Sequence, residues 1–317
     1  MGRMKLELQF KAAAEMRFRE HIDKHALKRE RKSYNSGIVF SYAMLHNLLD
    51  FSDSFCAWLR EHGYRYRYLR DIPVETWNEF LEEKSVKVGH ITLKNYKSRI
   101  NTWEKVANAA FKTNINWSER LQIPHRLNNE ETEIKRIQQM SQGDFEDIMA
   151  YITRNKSRSK AVAALELSAR FGLRVEGTSR IRPQNVHLDA AGFWGFGTID
   201  ITEKGNRKRI IDVKSEADRK FIEDLVKNKP ADAPLVPIQK DSVNKFLNRT
   251  MMTLGMKTKY PETSIHSIRK MYAQETWDQY RNAGHTWDEA LRYVNRQLGH
   301  GEERNRTLLG VYVKDMR

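Results

Sequence analysis

Apolar residues recur at helical spacing along nearly all of this chain and alternate in strand fashion at one place only. That contrast restricts the fold to a mainly α architecture with a small antiparallel β-sheet, an α+β class. The strand pattern is Thr198-Ile199-Asp200-Ile201-Thr202, followed by a Gly205-Asn206 turn signal and a return through Arg209-Ile210-Ile211-Asp212-Val213. Two residues of turn chemistry between alternating runs predict a hairpin with Lys204 at its tip.

The helical remainder falls into blocks. Residues 1–37 carry Leu6, Phe10, Ala13, Ala14 and Phe18 among dense charges, then the basic run Lys28-Arg29-Glu30-Arg31-Lys32, and read as an N-terminal basic helical arm. His21 and His25 lie one turn apart there, but no third metal ligand stands nearby, so surface histidines are expected. Residues 38–120 read as a helical domain, with Tyr42, Leu45, Leu48, Leu49, Phe55, Trp58 and Leu59 at helical spacing and Pro73 opening a further amphipathic segment. A long helix follows Gly89, with Tyr96, Ile100, Trp103 and Val106 inward and Lys94, Lys97, Arg99 and Lys105 on another face. Such cations suit backbone phosphates, although any one of them also suits a solvated helix face. Polar Asn128-Asn129-Glu130-Glu131 after Pro124 marks a linker over 121–138. A second domain, 139–317, opens at Ser141-Gln142-Gly143-Asp144, whose Ser and Asp both suit a helix N-cap.

Charge narrows the class of partner. Lys plus Arg number 56 against 41 Asp plus Glu, a net +15 with pI near 9.7, which favours a polyanion through counterion release. The chain lacks an apolar run of ~20 residues able to span a bilayer, and its start lacks the apolar core of a secretory signal. A single cysteine, Cys56, cannot form an internal disulfide, and no Cys/His cluster has zinc spacing. A cytoplasmic, nucleoid-associated protein without metal or membrane contact is expected.

Four stretches of the second domain stand in order: Gly172-Leu173-Arg174-Val175, the hairpin Thr202-Glu203-Lys204-Gly205-Asn206-Arg207-Lys208-Arg209, His266-Ser267-Ile268-Arg269, and Leu298-Gly299-His300 followed by Gly310-Val311-Tyr312. Taken together, they resemble the tyrosine recombinase (phage integrase) family. None is distinctive alone; their joint order in a basic chain is. The resemblance spans roughly residues 38–317, with 38–120 matching the family's core-binding domain and 139–317 its catalytic domain. It implies a C-shaped clamp on duplex DNA, site-specific recombination through a 3′-phosphotyrosyl intermediate, and a tetramer on DNA from a monomer or dimer in solution. Integration or excision of a mobile element, with accessory DNA-bending proteins, would be the setting.

The chemistry explains the residue types. Attack of a phenol on a phosphodiester builds charge on the non-bridging oxygens, and guanidinium forks match those oxygens geometrically. Arg174 and Arg269 suit that clamp, and His300 suits a further hydrogen bond to the same phosphate. A tyrosine with a reference pKa near ~10 must lose its proton as it attacks. Tyr312 is the expected nucleophile, His266 its base and Lys204 the acid for the leaving 5′ oxygen. Rejoining through a phosphotyrosyl link needs no nucleotide cofactor, and no Walker-type glycine loop is present, so no cofactor is expected.

Taken singly, each residue has an ordinary use. Arg174 suits a helix end, His266 an N-cap, Lys204 a plain turn with Arg207 or Lys208 as the active member, and Tyr312 a core plug. Arg207 and Lys208 are also expected to touch DNA. Family members often carry an acidic residue three positions after the first arginine; here Gly177 stands there and Glu176 one step early. Only five residues follow Tyr312, where many relatives have a helix that docks on a neighbouring protomer. The same residues also fit a type IB topoisomerase-like enzyme, a hairpin resolvase or a catalytically inactive DNA-binding relative. Relaxation of supercoiled plasmid without a target site, or tight binding without cleavage, separates these.

Overall fold

The computed structural model describes residues 5–19, 37–124, 138–155, 159–203, 207–300 and 305–313. His21, His25, the basic run 28–32, the polar stretch 128–131 and Lys204 lie outside them. Contacts divide the chain into two compact units, Met1–Thr132 and Glu133–Arg317.

The first unit is helical: α1 (Leu6–Arg17), α2 (Tyr42–Glu61), α3 (Val74–Lys87), α4 (His90–Phe111) and the short α5 (Trp117–Arg120). Ser41 caps α2 by accepting from the Met44 amide, and Pro73 precedes α3, where its missing N–H is no loss. Aromatic rings fill the core: Phe55 stacks on Trp77 at 3.5 Å between centroids, and Phe10 meets Trp103 edge-on at 4.7 Å. Two of the buried indole N–H groups find carbonyl partners, Trp103 at Leu48 and Trp117 at Ile72. Helix α1, read from sequence as part of an arm, buries Phe10, Ala13 and Ala14 in this same core.

The second unit contains α6 (Gln142–Arg154), α7 (Lys160–Phe171), α8 (Val175–Thr178), β1 (Val186–His187), β2 (Thr198–Glu203), β3 (Arg207–Asp212), α9 (Glu216–Val226), α10 (Lys240–Thr253), α11 (Ile265–Asn282), α12 (Trp287–Gln297) and α13 (Asn305–Val311). Ser141 caps α6 by accepting from the Asp144 amide, as its position suggested. The sheet is antiparallel in the order β1-β2-β3. Ile199, Ile201 and Ile211 face the core while Asp200 and Ile210 face outward, the alternation that the sequence shows.

Two details depart from the sequence reading. Two-residue strand β1 joins the sheet; so short a run carries no alternation to read. The register pairs Glu203 with Arg207, so three residues connect the strands rather than the two expected from Gly205-Asn206. Helix α11 is the centre of the unit, packed against α7 and α12. Its Tyr272 and Trp277 share an apolar cluster with Leu291, Val294, Leu308 and Tyr312.

Candidate active site

The site begins where α7 stops. Gly172 takes the left-handed conformation (φ 58°), and a Cβ placed on it would lie 2.3 Å from the Tyr272 ring. Both facts demand glycine. The reversal buries Leu173 and delivers Arg174, half-buried, to the N-cap of α8.

Helix α11 supplies the next two residues. Ser264 caps it, its hydroxyl accepting from the His266 amide at 3.2 Å, so His266 occupies the first turn. Arg269 follows one turn later on the same face. Its side chain is 0% exposed; one terminal nitrogen donates to the Gly172 carbonyl and the other to the Leu298 carbonyl at 2.5 Å. The guanidinium is thereby held between the α7–α8 turn and the end of α12.

Tyr312 follows α13 and is 5% exposed. Its ring lies edge-on to two imidazoles, 5.3 Å from His266 and 5.1 Å from His300 between centroids. The Arg269 guanidinium carbon is 5.9 Å from the same ring centre. Three segments distant in sequence therefore bring Arg269, His266, His300 and Tyr312 together. Burial pushes the His266 pKa down to about 4, with the cations of Arg269, Lys270 and Arg174 adding to the effect. His266 is accordingly a neutral imidazole at pH 7, with a nitrogen lone pair able to take a proton.

A buried polar network lies beside this group, and sequence reasoning assigned it nothing. Arg209 on β3 donates to the Gln297 carbonyl and, at 3.3 Å, to the Gly172 carbonyl. The Asp212 carboxylate accepts from Tyr293 Oη at 2.9 Å, Gln297 Nε2 at 2.7 Å and the Phe193 amide at 3.0 Å. The Gln297 amide oxygen in turn accepts from the Asp212 backbone N–H at 3.0 Å. One signal was available: Arg209 shares the parity of Ile211 and Val213, so strand alternation puts it on the buried face.

The remaining candidates are more scattered. Lys204 and the Arg207 side chain lie outside what is described, and Lys208 is exposed on β3. Glu176 is exposed and pairs with Lys240 at 3.7 Å, while Gly177 is buried. In the first unit Lys94 is exposed on α4, and Lys105 is half-buried one face with it. Lys97 donates from Nζ to the Leu121 carbonyl at 2.7 Å, and Arg99 lies 5.7 Å from the Phe51 ring centre and 5.8 Å from that of Tyr96. Among the described residues, no group of three or more His, Cys, Asp or Glu is placed to hold a metal ion, and no helix is long and apolar enough to cross a membrane.

No protein-family model matches the sequence, and no curated protein matches it. Solved structures match its fold. A XerH site-specific recombinase bound to palindromic difH substrate is similar with a TM-score of 0.57 at 16% identity, over 84% of this chain and 74% of that one. A lambda integrase dimer bound to a COC′ core site gives 0.59 at 14%, over 90% and 77%. The Tn1549 transposon integrase in complex with transposon right end DNA gives 0.54 at 12%, over 98% and 96%. All three are tyrosine recombinases, and this chain has their fold.

Proposed function

We propose that this chain is a site-specific DNA recombinase that cleaves and rejoins duplex DNA with Tyr312 as its nucleophile. The observation that carries the reading is the placement of Tyr312 between His266 and His300 with the Arg269 guanidinium beside its ring. In the cleavage step the Tyr312 oxygen attacks phosphorus and its proton passes to neutral His266. The bond from phosphorus to the 5′ oxygen breaks, and Lys204 supplies that oxygen with a proton. The products are a 3′-phosphotyrosyl link and a free 5′-hydroxyl; attack by a partner strand's 5′-hydroxyl reverses the step. Arg174, Arg269 and His300 hold the non-bridging oxygens, whose charge grows in the transition state.

Lys94, Lys97, Arg99 and Lys105 of the first unit and Arg207 and Lys208 of the hairpin are assigned to the DNA backbone. Exchange between two duplexes needs four active sites, hence a tetramer on DNA assembled from a monomer or dimer. Integration or excision of a mobile element, aided by DNA-bending proteins, is the task that fits. Two DNA-acting roles with related chemistry, plasmid relaxation and hairpin resolution, are separated by substrate.

The test is a nicked suicide duplex carrying a candidate target site, with products resolved on a denaturing gel. A covalent protein–DNA adduct is expected from the parent and none from Tyr312→Phe. Absence of any adduct, or one that persists in Tyr312→Phe, overturns the assignment.

A further inference from the structure

Two buried guanidinium groups meet at one backbone oxygen in the second unit. The Gly172 carbonyl accepts from Arg269 and from Arg209. Each arginine then reaches a second carbonyl at the end of α12, Arg269 that of Leu298 and Arg209 that of Gln297. Gly299 completes the fit: it is left-handed (φ 65°), and a Cβ there would lie 2.8 Å from the Arg209 Cδ. The Arg209 side chain thus passes directly beneath the turn that presents His300.

Both anchors of Arg209 lie close in sequence to groups of the proposed site. Gly172 is two residues before Arg174, and Gln297 three before His300. Its backbone belongs to β3, the return strand of the hairpin. A planar fork with parallel N–H donors sets the separation of two acceptors more narrowly than a point charge does. Burial at 5% exposure denies water the chance to replace either bond.

We propose that Arg209 is a positioning residue. It fixes the α7–α8 turn and the end of α12 relative to β3, and so sets where Arg174, Arg269 and His300 stand around the phosphate. The proposal rests on the function assigned above for its catalytic consequence, but not for its structural one.

Arg209→Lys, in the full chain, keeps the charge and most of the stem while losing the fork. The first readout is the pair of imidazole resonances of His266 and His300 in two-dimensional NMR of the free protein, both sensitive to the Tyr312 ring current. The expected result is a shifted or broadened His300 signal with His266 little moved. The second is single-turnover adduct formation at saturating DNA, expected to slow by about 10- to 100-fold, the scale for misplaced groups, with DNA affinity within about twofold. A substrate with sulfur at the bridging 5′ position, whose leaving group needs little protonation, should restore Lys204→Ala but not Arg209→Lys.

An unmoved His300 signal overturns the proposal, as does a parental cleavage rate or rescue of Arg209→Lys by the sulfur substrate. A parent that forms no adduct, with His300 displaced in Arg209→Lys, overturns the assigned function and supports the positioning role. If Arg209→Lys fails to fold, Arg209→Gln is read by the same His300 signal, with the same expected displacement and the same refuting result.

Discussion

Replacing Gly172 with alanine probes the turn on which the site is built. The added methyl carbon meets the Tyr272 ring at 2.3 and 2.5 Å, well inside van der Waals contact. That ring is 0% exposed, and the Lys214 ammonium stands 4.4 Å from its centre, so it has no open space to retreat into. The left-handed backbone disfavours any Cβ by about 1–2 kcal/mol, and forcing a methyl into a filled core adds about 1–3 kcal/mol. Together these give a loss of roughly 2–5 kcal/mol, a large share of an ordinary domain's stability. Displacing Gly172 also moves the carbonyl that both arginines grip, so adduct formation should fall even where the protein remains folded.

Urea unfolding followed by tryptophan fluorescence measures the first effect, and single-turnover cleavage the second. Tyr272→Leu supplies the control, because a branched, smaller side chain opens space for the methyl. The double variant should be less destabilised than the sum of the singles by about 1–3 kcal/mol, as expected for residues in contact. Gly172→Ala within 1 kcal/mol of the parent, or strict additivity with Tyr272→Leu, would refute the reasoning.

Three further outcomes follow from the same geometry. His266 has a folded-state pKa of about 4 against an ordinary 6.5, so between those values only the unfolded chain binds its proton. Its contribution to stability is therefore complete above pH 6.5 and is lost as pH falls toward 4, by about 2–3 kcal/mol; denaturation across that range should be steeper in the parent than in His266→Asn. Asp212→Ala removes the acceptor of three donors and should destabilise by about 2–4 kcal/mol, with the Tyr293 and Trp194 surroundings changing in near-UV circular dichroism. Lys94→Ala should lower DNA affinity and reduce the slope of log K against log salt by about 0.9, whereas Lys97→Ala should in addition lower the unfolding midpoint, since its ammonium also serves the Leu121 carbonyl; equal salt slopes for parent and Lys94→Ala would remove Lys94 from the DNA contacts.

The class of fold was legible because it depends on local periodicity. Ile199 and Ile201 alternate with polar neighbours, and Leu48, Phe55, Trp103 and Val106 recur at helical spacing; burial follows both patterns. Ser141 acts as an N-cap because capping involves only its own first turn. The three-residue hairpin connection was not legible, since Gly205-Asn206 states a turn preference while the register is set by which side chains fill the core. Nor did composition reveal that Phe10 and Ala13 belong to the helical core, because an amphipathic stripe does not name the surface that covers it.

For the site, sequence by itself determined an ordered set of chemically matched residues: Arg174, His266, Arg269, His300 and Tyr312, with Lys204 between the first two. Order along a chain carries no distance. Only tertiary packing put the Tyr312 ring 5.3 and 5.1 Å from two imidazoles and sealed Arg269 between the Gly172 and Leu298 carbonyls. It also drew in Arg209, whose acceptors are backbone carbonyls far away in sequence, and the Asp212–Gln297 pair beside it. Backbone carbonyls are the same at every residue, so no motif records which of them an arginine will reach. Three-dimensional folding decides that, because a buried guanidinium must find acceptors wherever the fold leaves them.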